Sequence, residues 1–203
     1  MADAAIACWN AKYTYEFWRP VTAIQLGDDD ENPCTFGDPT WLPLITTPPF
    51  PTYTSGHSTF SGAAANVLAQ FFDNDDIAFD STSDGLPGVT RSFTSFSQAA
   101  GEAADSRLYG GIHFRFDNEA GLLVGTDLGY YDYRNYLRRM GDMDCDGNLI
   151  AADIDAFVMA LEDEVGYQTC FPACNRELAD MNHDGRVNNF DINPFVDALM
   201  SGG

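Results

Sequence analysis

Apolar and polar positions follow a helical rhythm through most of the first 140 residues. Residues 3–26 carry apolar and small side chains at helical spacing and predict one helix, broken or bent at Pro20, which has no N–H to donate. A Pro-rich segment from Pro33 to about Thr54, including TPPFPTYT, predicts an extended loop. Ser58 to Phe72, rich in alanine, predicts a second helix. Residues 73–90 are acidic and contain Ser and Gly, so a surface loop is expected. Ser92 to Leu108 predicts another helix, Gly110-Gly111 a break, and His113 to Met140 a final helix. No stretch alternates cleanly over six residues, so strands are not expected and the fold class is all-α.

The pattern changes near Gly141. GDMDCDGNLIAADIDAFVMAL at 141–161 matches ADMNHDGRVNNFDINPFVDAL at 179–199, an offset of 38 residues. Such a repeat reads as a tandem supersecondary unit. Two domains are therefore expected, 1–140 and 141–203. In the second, Ile154, Phe157, Val158 and Leu161, with Ile192, Phe195, Val196 and Leu199, are expected to form a small core.

Composition narrows the partners. Hydrophobic residues make up 45% of the 203, enough for a packed core. The net charge is -21, with a single lysine, and such a surface repels nucleic acid and anionic membrane. No apolar run reaches the ~18 residues of a membrane helix. The first residues lack a basic start followed by an apolar stretch, so they form no signal peptide. They read as the inside of a helix, and further helices are expected upstream of this chain. Five cysteines are present, an odd number, and no C-x-x-C occurs. Cys145 lies in the same module as Cys170 and Cys174; a disulfide to either fits an oxidising compartment.

An acidic protein that binds an anion must gather its few cations in one place, and three clusters do so. Lys12 and Arg19 are seven residues apart, about two helical turns, so one helix face is expected to carry both. Ser55-Gly56-His57 precedes the alanine-rich helix, whose first N–H groups attract anions. Ser55 adds a hydroxyl, and Gly56 lets backbone approach a ligand closely. Ser106-Arg107-x5-His113-x3-Asp117 places His113 and Asp117 one turn apart. Asp117 can accept a hydrogen bond from one ring nitrogen, leaving the other lone pair toward the site. Gly110-Gly111 permits a turn that returns Arg107 to the same place. Taken singly, each cluster also fits a plain structural role: a solvated basic face, a helix cap, a surface His–Asp pair.

Together and in this order, the clusters resemble the signature of the vanadium haloperoxidase and type 2 phosphatidic acid phosphatase superfamily, from Ala2 to about Tyr131. PPFPTYTSGHSTFSGAAA and SRLYGGIHFRFDNEAG are most similar to the haloperoxidase branch. Thr54 stands where the family often has proline. The resemblance implies a helical-bundle core. It implies that Lys12, Arg19 and Arg107, with Ser55 and the Gly56 N–H, bind the oxygens of vanadate or phosphate. His113 would bond to vanadium or attack phosphorus, His57 would act as general acid–base, and Asp117 would orient His113. Phe50 resembles a halide-pocket position of the chloroperoxidase type. The implied reaction oxidises halide with hydrogen peroxide and halogenates an organic acceptor. Two alternatives stand beside it: a phosphatase acting through a phosphohistidine at His113, and an inactive core whose docking module alone functions.

The repeats carry a second chemistry. Asp142, Asp144, Asp146 and Asp153 occupy positions 1, 3, 5 and 12 of one loop, with Gly147 at 6 and the Asn148 carbonyl at 7. Asp180, Asn182, Asp184 and Asp191 match them in the other, with Gly185, the Arg186 carbonyl and Asn188 at position 9. Oxygen ligands at these spacings wrap a hard cation. Position 12 is Asp rather than the Glu of an EF-hand, and each loop leads into one helix. This resembles a type I dockerin over 141–200. The resemblance implies two calcium ions, calcium-dependent folding, a cohesin-like protein partner and a secreted or cell-surface location.

Overall fold

The computed structural model describes residues 1–201 and divides into two compact units, Met1–Tyr130 and a second that starts at Tyr131. The composition change lies further on, near Gly141. The intervening π-helical turn, Tyr133–Leu137, belongs with the second unit, where Arg134 donates to the Pro172 and Ala173 carbonyls at 2.9 and 2.8 Å.

In the first unit the expected helix 3–26 is two helices, α1 (Ala2–Tyr15) and α2 (Pro20–Gln25). The break precedes Pro20. Glu16 adopts a left-handed conformation (φ 47°) and its N–H closes on the Lys12 carbonyl at 3.0 Å. Pro20 then starts α2, where a missing N–H costs nothing. A long irregular segment leads to α3 (Gly56–Phe71). The region expected as loop contains a small antiparallel hairpin, β1 (Phe79–Thr82) and β2 (Thr90–Phe93), with Phe79 opposite Phe93. Their rings lie 5.3 Å apart, and Phe79 also meets Phe96 at 5.6 Å. At four residues each, mostly exposed, these strands are too short to show alternation.

Helix α4 (Phe96–Tyr109) starts four residues later than expected, because the Ser95 hydroxyl caps it by accepting from the Gln98 N–H at 3.0 Å. Helix α5 (Arg115–Asp132) is shorter than expected at both ends. It packs against α3 with almost nothing between the backbones. A Cβ on Gly125 would sit 2.1 Å from the Thr59 carbonyl oxygen, and one on Gly121 would sit 2.7 Å from that of Ser55. This approach positions the start of α3 beside the start of α5, where the site lies.

The second unit contains α6 (Asp153–Glu162), α7 (Glu164–Cys170) and α8 (Ile192–Met200); α7 was not foreseen. Phe157 and Phe195 stack at 3.9 Å in its centre, with Met143, Leu149, Ala156, Ala160, Tyr167 and Leu178 around them. Leu161 and Leu199 pack partly buried against this core. The expectation fails for Ile154, Val158, Ile192 and Val196, which are exposed. Ala156 and Ala160 face inward with the stacked rings, while the β-branched Ile154, Val158, Ile192 and Val196 face out. Cys145 is bonded to Cys174, while Cys8, Cys34 and Cys170 are unpaired. Among the described residues no helix is long and apolar enough to cross a membrane.

Candidate functional site

Lys12 and Arg19 do not share a helix face, yet both side chains are buried in the first unit and point inward. Arg19 caps the start of α2. Its Nε donates to the Phe50 carbonyl at 2.8 Å and its Nη1 to the Ile112 carbonyl at 2.8 Å, with His113 Nε2 3.0 Å away. Its Nη2 is buried with no partner. Lys12 is 1% exposed and gives its ammonium protons to the carbonyls of Pro51, Thr52 and Thr54, at 2.9, 2.8 and 2.7 Å. It therefore anchors the loop that leads to Ser55 instead of presenting free protons to a ligand. Burial, chiefly, lowers its pKa to about 8. Phe50 lies under both cations, 5.3 Å from Lys12 Nζ and 5.0 Å from the Arg19 guanidinium.

His113 precedes α5 rather than lying within it, but the turn brings it to Asp117 as expected. Its Nδ1 is 3.0 and 3.1 Å from the two Asp117 oxygens and 3.0 Å from Thr52 Oγ1. The Thr52 hydroxyl donates to Asp117 Oδ2. His113 and Asp117 are both buried. Burial is the largest influence on His113 and lowers its pKa against the opposing pull of Asp117, so the ring is neutral at neutral pH. With Nδ1 protonated toward Asp117, the Nε2 lone pair accepts from Arg19.

Arg107 sits in the last turn of α4, and its Nε is buried without a partner. Burial lowers its pKa and that of Arg19, and the two charges are close enough for Arg107 to depress Arg19 further. His57, in the first turn of α3, is exposed on its outer side, yet its pKa is lowered by desolvation, then by Arg107 and His113. The structure thus brings Arg19, Arg107, His57, His113 and Asp117 together. Ser55 is fully buried at the N-cap of α3, and its hydroxyl accepts from Ser58 at 3.0 Å. A Cβ on Gly56 would meet only Cys8 Sγ, at 3.5 Å, so packing within the protein does not demand glycine there.

Three residues escaped the sequence reading: Thr52, Ser58 and Asn118. Ser58 Oγ lies 3.2 Å from Asn118 Oδ1, and Asn118 donates to the Ala104 carbonyl at 2.8 Å, which ties α3, α4 and α5 together. Asn118 directly follows Asp117 and Ser58 directly follows His57. Adjacency to charged site residues was the available signal.

The second unit holds the repeated loops. Asp142, Asp144 and Asp146 each bring one oxygen within 4.8 Å of the others. Asp142 is 1% exposed and its Oδ1 has no partner. Burial raises its pKa, as do Asp153 and Asp144, while the Gly147 N–H and Arg138 oppose them. Asp153 lies outside this oxygen cluster. It accepts from the N–H groups of Met143, Asp144 and Ile150 and closes the loop. The second loop repeats the pattern, with Asp180 accepting from Gly185 and Asp191 from Asn182 and Asn188. Asn188 also caps the following turn through its side-chain Oδ1, which accepts from the Phe190 N–H. Its amide donates to the Arg186 carbonyl at 3.3 Å.

Comparison with known proteins places the first unit. A family model described as the VCPO second helical-bundle domain matches residues 1–142. The vanadium chloroperoxidase of Curvularia inaequalis is 31% identical over 172 residues, covering 61% of this chain and 28% of that protein. A crystal structure described as the first bacterial vanadium-dependent iodoperoxidase is 48% identical, with a TM-score of 0.55 over 64% of this chain and 30% of its own. A holo-type bacterial vanadium-dependent chloroperoxidase gives a TM-score of 0.51 at 20% identity, over 63% of this chain and 32% of its own, a likeness of fold alone. The chain spans less than a third of the length of these relatives.

Proposed function

The chain belongs to the VCPO second helical-bundle domain family, and on that premise we propose that its buried cationic cluster binds vanadate and serves the oxidation of halide by hydrogen peroxide. One observation carries the reading: Arg19 Nη2 and Arg107 Nε are buried N–H donors with no acceptor in the protein. A buried unpaired donor is costly, more so on a cation, and an oxyanion supplies what both lack. Tetrahedral vanadate fits that donor set, and its relatives are named for vanadium.

In this reading Arg19 and Arg107 donate to the anion, and Ser55 with the Gly56 N–H adds donors from the start of α3. His113 Nε2, whose lone pair accepts from Arg19 Nη1, would turn that lone pair to the bound anion in exchange, and Asp117 holds the ring from behind. Lys12 contributes charge at short range while fixing the 51–54 loop. His57, kept neutral, would take a proton from hydrogen peroxide. Bound vanadate would supply a Lewis-acid centre for peroxide without a change of its own oxidation state. Phe50, against Lys12 and Arg19, would border the halide, which would give two electrons to peroxide as peroxide oxygen leaves as water, and the oxidised halogen would pass to an organic acceptor. The test is peroxide-dependent bromide, chloride and iodide oxidation with and without vanadate, beside p-nitrophenyl phosphate hydrolysis. Vanadate-dependent halogenation that His113→Ala abolishes is expected; phosphate release without halogenation would overturn the reading.

For the second unit we propose two calcium sites, Asp142, Asp144, Asp146, Asn148 and Asp153 in one loop, and Asp180, Asn182, Asp184, Arg186, Asn188 and Asp191 in the other. The unpartnered Asp142 Oδ1 and the matching hydrogen bonds of the two loops support this. The exposed Ile154, Val158, Ile192 and Val196 offer a surface for a cohesin-like protein, and the Cys145–Cys174 bond suits an extracellular location. Calorimetric titration is expected to give two calcium ions per chain; none bound would remove the assignment.

A further inference from the structure

Thr52 sits where two parts of the cluster meet. Its backbone serves one part: its N–H donates to the Phe17 carbonyl at 3.0 Å, and its carbonyl accepts from Lys12 at 2.8 Å. Its side chain serves the other: Oγ1 lies 3.0 Å from His113 Nδ1 and donates to Asp117 Oδ2. It is completely buried, so no water competes for these groups.

The proton count in this triangle decides the tautomer. The Thr52 hydroxyl has one proton, and Asp117 Oδ2 takes it. What remains toward His113 is a lone pair on Thr52 Oγ1 and a lone pair on Asp117 Oδ1. An unprotonated Nδ1 would face acceptors only. A protonated Nδ1 donates to both at 3.0 Å. Asp117 Oδ2 also accepts from the Phe114 N–H at 3.3 Å, while Oδ1 faces His113 Nδ1. On the opposite side of the ring Arg19 Nη1, a donor only, faces Nε2 at 3.0 Å.

We propose that Thr52 is a positioning residue for the anion site, holding the Asp117 carboxylate in place behind the His113 ring, whose tautomer Asp117 and Arg19 set. This rests on the reading of His113 as the ring that faces the anion. Thr52 touches neither anion nor peroxide; it acts through Asp117 and His113. Because its backbone also receives Lys12, the same residue sets the cation's loop and the ring's orientation together.

The test uses the full chain labelled with 15N. Its three histidines are separable by His→Gln variants of His57 and His183. Long-range 1H–15N spectra read the tautomer of His113 without any ligand. Wild type is expected wholly in the Nδ1–H form. Thr52→Val keeps the shape and removes the hydroxyl; His113 is expected to stay in the Nδ1–H form, held by Asp117 and Arg19, while its Nδ1–H resonance shifts and exchanges faster with water as Asp117 loses its hold. Thr52→Ser keeps the hydroxyl and is expected to match wild type. Orthovanadate titration should then show about tenfold weaker binding in Thr52→Val and little change in Thr52→Ser, the scale of losing a partner behind a ligand. A His113 Nδ1–H resonance and exchange rate unchanged in Thr52→Val overturn the proposal, as does equal weakening by Ser and Val, which would make the methyl the relevant group. If Val does not fold, Thr52→Ala relieves crowding and gives the same reading. Wild-type protein that binds no vanadate while the Nδ1–H resonance behaves as expected would remove the vanadate reading and leave Thr52's role intact.

Discussion

Lys12 is held well away from its ordinary chemistry. Buried among three carbonyls, it titrates at about 8 instead of 10.5. The folded pKa lies below the unfolded one, so the unfolded chain binds more protons between these values. Stability from this group therefore rises with pH through that window. Anion affinity runs the other way and should fall as pH passes about 8 and the charge is lost. Lys12→Met should bind vanadate more weakly and lack that step; a binding profile as steep in the variant as in wild type would contradict it. Arg107→Met removes an unpartnered buried donor, and the vanadate dissociation constant should rise about 10- to 150-fold, from about 1.5–3 kcal/mol per hydrogen bond between charged groups. Lys12, Arg19, His57, Arg107 and His113 stood out in the sequence because cations and histidines are rare in this chain, and Ser55-Gly56 and Asp117 stood out by their fixed spacing to them. Thr52 did not, because an isolated threonine in a Pro-rich loop carries no spacing signal.

At the scale of elements, the site depends on how closely α5 approaches α3. Gly121, Gly125 and Gly129 recur every four residues along α5, and a Cβ on any of them would meet α3 atoms at 2.1–2.7 Å. An exposed helical Gly→Ala change stabilises by about 1 kcal/mol. Gly125→Ala should instead destabilise by about 1–3 kcal/mol, since backbone must move. It should also weaken vanadate binding, because Ser55 N–H and the Asp117 carbonyl are joined across this contact at 3.2 Å. Urea unfolding with vanadate titration of the same sample checks both. Helix positions were readable from apolar spacing, but their ends were not. The α1 break turns on the left-handed Glu16, and the α4 start on the Ser95 cap. Neither feature affects hydrophobic periodicity. The hairpin was hidden because its strands bury little more than Phe79 and Phe93.

Across the molecule, the two proposed ligand sites lie in separate units, and each unit should respond to its own ligand. Chelator should lower the melting temperature of the second unit and leave vanadate binding by the first unchanged, read by calorimetry. Reducing Cys145–Cys174, which closes 29 residues of chain, should cost that unit about 3–4 kcal/mol. The repeat at 141–199 announced this unit plainly in the sequence. Its core was half legible: Phe157 and Phe195 are inside, whereas Ile154, Val158, Ile192 and Val196 are not, because apolar character alone does not say which side of a short helix faces in. In the first unit, the unpartnered donors Arg19 Nη2 and Arg107 Nε, with His113, are proposed to hold an oxyanion. Equilibrium titration of the 203-residue chain with orthovanadate, wild type beside Arg107→Met and His113→Ala, tests it most directly. The account predicts one vanadate per chain, displaced by phosphate and lost or strongly weakened in both variants. Absence of binding in wild type, or binding indifferent to both substitutions, would contradict it.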